Sequence, residues 1–221
     1  MRYLYYKIVL RGIFLTVALL LMANSVLSQQ IVLDTYEQGL SDQWEAKSFK
    51  GETLYEVTTE DGIRCIKATA KASASALYYK IKYDVSKYPI IQWRWKISSV
   101  LQKGNALTKG GDDFAARVYV VFPSTFFWRT KAINYVWANT LPKGSSVPNA
   151  FTKNVFMIAV ESGNELAGKW VVETRNLLED YRNAFKKDPG KAGAVAIMTD
   201  TDNTGEQASA WYGPIILGSD R

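Results

Sequence analysis

Over Ile91-Gln92-Trp93-Arg94-Trp95-Lys96-Ile97 every second residue is a large apolar one, and every residue between is polar or charged. Side chains alternate between the two faces of a strand, whereas an amphipathic helix needs apolar residues three and four apart. The segment therefore predicts a strand with Ile91, Trp93, Trp95 and Ile97 on one face and Gln92, Arg94 and Lys96 on the other. Shorter versions of the pattern recur at Ile31–Asp34, Trp44–Phe49, Thr53–Thr58, Ile63–Thr69, Ala76–Tyr83, Phe114–Phe122, Ala132–Trp137, Val155–Val160, Trp170–Arg175, Ala194–Thr199 and Gln207–Leu217. Gly, Asp, Asn, Ser and Pro punctuate them at strand-like intervals.

One helix is expected. Asn176 precedes Glu179 with capping-box spacing, Leu177, Leu178, Tyr181 and Phe185 form a helical stripe, and Asp188-Pro189-Gly190 stops it. About a dozen strands and one helix exclude an alternating βαβ fold. They predict an all-β chain: an antiparallel β-sandwich, jelly-roll-like, with one short helix after Arg175. Leu101–Gly111 and Leu141–Asn149 read as rim loops.

The first 28 residues have the three parts of a cleavable signal peptide. Arg2, Lys7 and Arg11 are unopposed by acids, Ile13 to Leu21 are apolar, and Val26 and Ser28 are small enough for a peptidase to read, placing the cut after Ser28. The apolar run is shorter than the roughly 20 residues that span a bilayer, so an uncleaved anchor is the weaker reading. No cysteine sits near the cut to carry a lipid. The expectation is a periplasmic or secreted protein, without a transmembrane anchor after cleavage, whose working part is one domain over residues 29–221. Removing the signal takes the formal charge from +6 to +3, and no Lys/Arg cluster stands out, which argues against a nucleic-acid partner.

The chain contains no histidine. That removes Ser-His-Asp and Cys-His catalysis, histidine-ligated zinc and histidine acid–base chemistry. Cys65 is the only cysteine, so no intrachain disulfide forms, and its place in Ile63-Arg64-Cys65-Ile66-Lys67 suits a buried structural thiol.

Three segments can carry chemistry. In Lys109-Gly110-Gly111-Asp112-Asp113-Phe114-Ala115-Ala116-Arg117-Val118-Tyr119 a glycine turn delivers two carboxylates to a strand on which Ala115, Arg117 and Tyr119 share a face. In Trp170–Arg175, Glu173 and Arg175 are expected to point outward, opposite Trp170, Val172 and Thr174, as a binding pair or as a surface ion pair. In Thr199-Asp200-Thr201-Asp202-Asn203-Thr204-Gly205, Asp200, Asp202 and Asn203 offer hard oxygen ligands for calcium, although the same residues are ordinary turn formers. Of the seven tryptophans, Trp93 and Trp95 sit at core spacing, while Trp128, Trp137 and Trp211 are the candidates for exposure and for stacking on a sugar.

At these segments the chain resembles a family of exported bacterial proteins known as domain of unknown function 3047. The likeness rests on Gln92-Trp93-Arg94-Trp95, Gly111 to Tyr119, Asn134-Tyr135-Val136-Trp137-Ala138-Asn139, Glu173-Thr174-Arg175-Asn176, Asp180-Tyr181, Ala196 to Gly205 and Ala210-Trp211-Tyr212-Gly213. It runs from about Leu33 to Leu217. The resemblance implies export and a β-sandwich and carries no activity. Pro214 stands where it implies an acidic residue, which weakens a carboxylate role there.

The expected function is non-catalytic binding of a glycan or other polar small molecule in the cell envelope, on a concave sheet face bearing Arg94, Arg117, Tyr119, Glu173 and Arg175, with Trp137 and Trp211 as stacking partners. A carbohydrate-active enzyme pairing Glu173 with Asp112 or Asp113 is the alternative, and a structural or assembly protein of the envelope is a third.

Overall fold

The computed structural model describes residues 29–219, so the export signal read over residues 1–28 lies outside the described residues. In chain order the strands are β1 Gln30–Val32, β2 Trp44–Lys50, β3 Leu54–Glu60, β4 Ile63–Lys71, β5 Ala74–Tyr83, β6 Ile90–Ile97 and β7 Arg117–Phe122. There follow β8 Lys131–Ala138, β9 Ser146–Pro148, β10 Val155–Ser162, β11 Val171–Asn176, helix α1 Leu177–Phe185, β12 Ala192–Asp200, β13 Gln207–Tyr212 and β14 Ile216–Gly218. They make two seven-stranded sheets, and the all-β sandwich expected from the alternation is what forms.

In sheet A, β6 is the hub. It pairs along one edge with β11 and along the other with β13 and β14, which lead on to β4 and β3 and to β1 respectively. Sheet B runs β2-β5-β12-β7-β8-β10-β9. All pairs are antiparallel except β8 with β10, which makes sheet B mixed.

The alternating tryptophans close the two layers. Ile91, Trp93, Trp95 and Ile97 are buried against sheet B, with Trp93 5.1 Å from the Tyr135 ring and Trp95 5.7 Å from Trp137. Val118, Val120 and Phe122 of β7 and Val195 and Ile197 of β12 fill the same layer. Cys65 is fully buried, and burial pushes its thiol up to about 11. Helix α1 begins where the capping spacing placed it, the Asn176 side chain accepting from the Glu179 N–H at 3.2 Å. It ends at Lys186, whose φ of 56° turns the chain before Asp188-Pro189-Gly190. Among the described residues no helix is long and apolar enough to cross a membrane.

Four local expectations change. The region read as a rim loop over Leu141–Asn149 contains β9, paired with β10. The strand read over Gln207–Leu217 is two, broken at Gly213-Pro214-Ile215. The strand read from Phe114 begins at Arg117, although the Phe114 and Ala116 carbonyls still accept from the Asp200 and Trp137 N–H groups of the flanking strands and the Ala115 carbonyl from the Thr199 hydroxyl. The face assignment of β11 is reversed: Val172 is 56% exposed and Glu173 only 8%. The register explains it, since Glu173 lies opposite the inward-facing Trp93 and Thr174 opposite the outward-facing Gln92.

Truncating Trp137 to Ala should remove the contact under Trp95 and cost about 3–5 kcal/mol. A urea unfolding curve with a lowered midpoint and unchanged slope is the expected result.

Candidate functional site

The outer face of sheet B, turned away from the core, carries a groove of about 840 Å³. Strand alternation sets its lining. On β2, Glu45 and Lys47 face out while Trp44 faces in, and they stand opposite Tyr78 and Ala76 of β5. Tyr78, Lys80 and Lys82 continue the β5 row, and Ala194 of β12 sits between Lys80 and Val121 to form a low floor. Gly193 is required beside it, because a Cβ there would lie 2.7 Å from the Pro123 ring. That contact lets the β7–β8 turn rest on the sheet and stand Phe127, 81% exposed, along the groove. Phe126 and Trp128 flank it, 48% and 58% exposed, with their rings stacked 5.1 Å apart. Of the residues singled out from sequence, Tyr119 lies next to this groove, meeting Tyr78 across Ala196.

Arg117 faces the same way but is buried at one end of the sheet, where it organises a polar rim. Its Nε donates to Asp200 at 2.8 Å and its Nη2 to the other Asp200 oxygen and the Asp112 carbonyl. Its Nη1 donates to Asp112 Oδ1 and to the Tyr119 hydroxyl, both at 3.2 Å, and its plane covers the Phe114 ring at 4.4 Å. Burial pushes the Asp200 carboxyl up to about 7, Asp112 and Asp113 add to it, and the pull of Arg117 opposes it.

The cation candidates Asp200 and Asp202 do converge, and Asp113 joins them; one ligand atom from each of the three lies within 4.8 Å of the others. Asn203 points its donors at Asp113, which accepts the Asn203 backbone N–H at 3.0 Å, its amide at 3.0 Å and the Thr204 N–H at 2.6 Å. With Asp200 held by Arg117 and the Phe114 N–H, most of this oxygen set is satisfied by the protein's own donors. These bonds staple the 112–114 and 200–204 segments together, as the turn-forming reading of that loop expects, and Asp113, Asp200 and Asp202 stand close enough together to hold a cation.

Glu173 is elsewhere, inside the edge of the sandwich. A bulge in β10 between Ala159 and Glu161 turns Glu161 inward opposite Trp137, so two buried carboxyls approach each other from the two sheets. Lys143 pairs with Glu161, while one Glu173 oxygen has no partner. Burial pushes the Glu173 carboxyl up to about 7, and the charge of Glu161 adds to it. The proposed catalytic pairing of Glu173 with Asp112 or Asp113 is therefore not assembled: Glu173 lies between the sheets and the two aspartates at the outer rim of sheet B.

Arg175, expected as a ligand-binding guanidinium, instead pairs with Asp180 at 2.5 and 3.0 Å. Asp180 in turn accepts from the Tyr135 hydroxyl at 2.9 Å, tying α1 to both sheets. Arg94 is exposed on the outer face of sheet A, with Trp211, whose ring lies under the Lys67 and Lys96 ammoniums at 5.7 and 5.2 Å. Trp137 is fully buried, its Nε1 donating to the Gly163 carbonyl at 2.9 Å. The single polar face expected from sequence thus divides over three places, because outward residues of two sheets point in opposite directions.

The groove residues Lys47, Tyr78, Lys80 and Phe127 were missed. A signal was present: Ala74, Ala76, Tyr78 and Lys80 alternate with Ser75, Leu77, Tyr79 and Ile81, and Phe126-Phe127-Trp128 follows a Pro-Ser-Thr turn.

A family profile described as protein of unknown function, DUF3047, matches residues 42–216. The chain belongs to the DUF3047 family. Among curated proteins none matches the sequence. Among solved structures, the family 30 carbohydrate-binding module of a cellulosomal cellulase from Clostridium thermocellum is similar with a TM-score of 0.52 and 10% identity, covering 87% of this chain and 98% of that one. A lectin from Bauhinia forficata in complex with GalNAc aligns with a TM-score of 0.44 and 10% identity over 87% and 98% of the two chains. A xylan-binding module, CBM15, aligns with a TM-score of 0.40 and 9% identity over 88% and 98%. The first of these likenesses concerns the sandwich fold of this DUF3047 protein.

Two outcomes follow from the buried charges. Arg117→Ala leaves Asp112 and Asp200 buried without their cation and should lower stability by about 3–5 kcal/mol in chemical denaturation. Glu173 holds a proton in the folded state up to about pH 7, whereas an unfolded glutamate releases it near the ordinary value of about 4.3. Its contribution therefore favours the fold at low pH and is lost as pH rises between those values. Glu173→Gln should gain stability relative to the unsubstituted protein as pH goes from 5 to 8, read from urea midpoints across that range.

Proposed function

We propose that this DUF3047 protein binds a carbohydrate chain in the outer groove of sheet B, and that it does so outside the cytosol, in the periplasm or as a secreted protein, after loss of its first 28 residues. The observation that carries the binding reading is the groove itself. It is open along a rigid sheet, floored by Gly193 and Ala194, flanked by the rings of Tyr78 and Phe127, and edged by Lys47, Lys80, Lys82 and Glu45. The apolar C–H face of a sugar packs on an exposed ring, and its hydroxyls accept hydrogen bonds from the ammonium groups at the edge and donate to the carboxylate. The similar fold of a carbohydrate-binding module makes sugars the first ligand class to test. The export reading is supported by Arg2, Lys7 and Arg11 ahead of the apolar run at Ile13 to Leu21.

Isothermal titration against neutral and acidic oligosaccharides tests the groove. Tyr78→Ala and Phe127→Ala should each weaken binding by about ten-fold, the loss of roughly one stacking contact. Arg94→Ala and Trp211→Ala, on the far sheet, should leave it unchanged. No heat and no retention across the panel would overturn the proposal.

A further inference from the structure

Beyond Pro123 the groove is continued by a second hollow of about 420 Å³, lined among others by Trp128, Arg129, Lys131, Asn154, Lys187 and Asp188. Pro123 lines both. The charges in this hollow are unbalanced. Its carboxylate, Asp188, is engaged by Arg182 at 2.6 Å. Among the described residues Arg129, Lys131 and Lys187 have no carboxylate partner. Arg129 lies over the Phe126 ring at 5.3 Å and Lys131 over the Phe185 ring at 3.9 Å, contacts that leave a full positive charge to be met. Burial holds the Lys131 ammonium below its usual range, and the neighbouring Lys187 adds to it, so the cations are close enough to oppose one another. The same imbalance marks the groove, where Glu45 is engaged by Lys80 and leaves Lys47 and Lys82.

We infer that this hollow is a subsite for an anionic substituent, a carboxylate or phosphate, carried on the glycan that occupies the groove; the ligand class is an acidic polysaccharide. The inference rests on the groove reading and adds the charge of the ligand and where it is met. A chain lying along Tyr78 and Phe127 passes over Pro123 and delivers a substituent to Arg129, Lys131 and Lys187 without leaving the surface. Guanidinium and ammonium donors grip such groups through charge-assisted hydrogen bonds. A flat bilayer would meet the protruding Phe127 and Trp128, but Lys47, Lys80 and Lys82 are spread along a groove in the sheet, an elongated arrangement that favours a polymer.

The test is titration of the protein, at low salt and at about 0.3 M salt where exposed charges are screened, with acidic polymers (polygalacturonate, alginate, polyglycerol phosphate) and neutral ones (galactan, xylan, glucan). Vesicles of phosphatidylglycerol and phosphatidylcholine are run alongside. The expected result is an acidic polymer bound about ten-fold or more tightly than any neutral one, with the difference shrinking in salt. Lys131→Gln with Lys187→Gln, and the exposed Lys187→Gln alone, should remove that advantage while leaving neutral binding intact. Neutral and acidic polymers bound alike, or an acidic preference untouched by both variants, overturns the subsite and leaves the groove standing. No binding to any polymer overturns both. Binding to phosphatidylglycerol vesicles alone, lost in the variants, overturns the glycan and assigns the cations to a membrane surface.

Discussion

The contact between the inward tryptophans of β6 and the Tyr135–Trp137 row of β8 holds the two sheets of this protein face to face. Four large rings at separations of 5.1 to 5.7 Å occupy the middle of the layer, where aromatic burial contributes most per residue. With no disulfide available from a single cysteine, packing of this kind must supply the stability. It also fixes which way every other side chain on those strands points. Once Trp93 faces in, Glu173 opposite it faces in too. Once Val118 and Val120 face in, Arg117, Tyr119 and Val121 are committed to the outer face.

That commitment sets a cost at each place where a charged residue falls on a buried row. At the rim, Arg117 with Asp112 and Asp200 answers it by direct pairing, and Asp113 by three N–H donors. At the sandwich edge, Glu173 and Glu161 answer it less completely, with Lys143 on one carboxyl and an unpartnered oxygen on the other. The first arrangement is a fastening between loops. The second is a buried pair in which the Glu173 carboxyl is pushed up by burial and by the charge of Glu161. Neither leaves its groups free for an extended ligand, which is why the groove, whose polar groups line an open surface, is the better binding candidate.

The strands, the helix and its cap were legible in the sequence because each depends on neighbours within a few residues. The β6 alternation needs only its own side chains, and the Asn176 cap reaches only to Glu179. The candidate site was less legible. Glu173 was placed outward because Trp170 and Val172 read as the apolar row, and only pairing with β6 reverses them. Trp137 sits among Asn and Ala residues that resemble a surface, yet every residue from Ala132 to Asn139 is buried, because flanking segments cover the far side of the strand.

By itself the sequence determined that this chain is a two-layer β protein without histidine chemistry, with Trp93 and Trp95 inside and a helix capped by Asn176. Those properties follow from periodicity and composition, which are local. Only the tertiary structure decided that Asp200 and Asp202 would meet Asp113, that a bulge would turn Glu161 toward the core, and that Lys47, Tyr78 and Phe127 would border one groove. Strand order and register bring together residues far apart in the chain, and a pattern of period two states which residues share a face without stating which strands lie side by side.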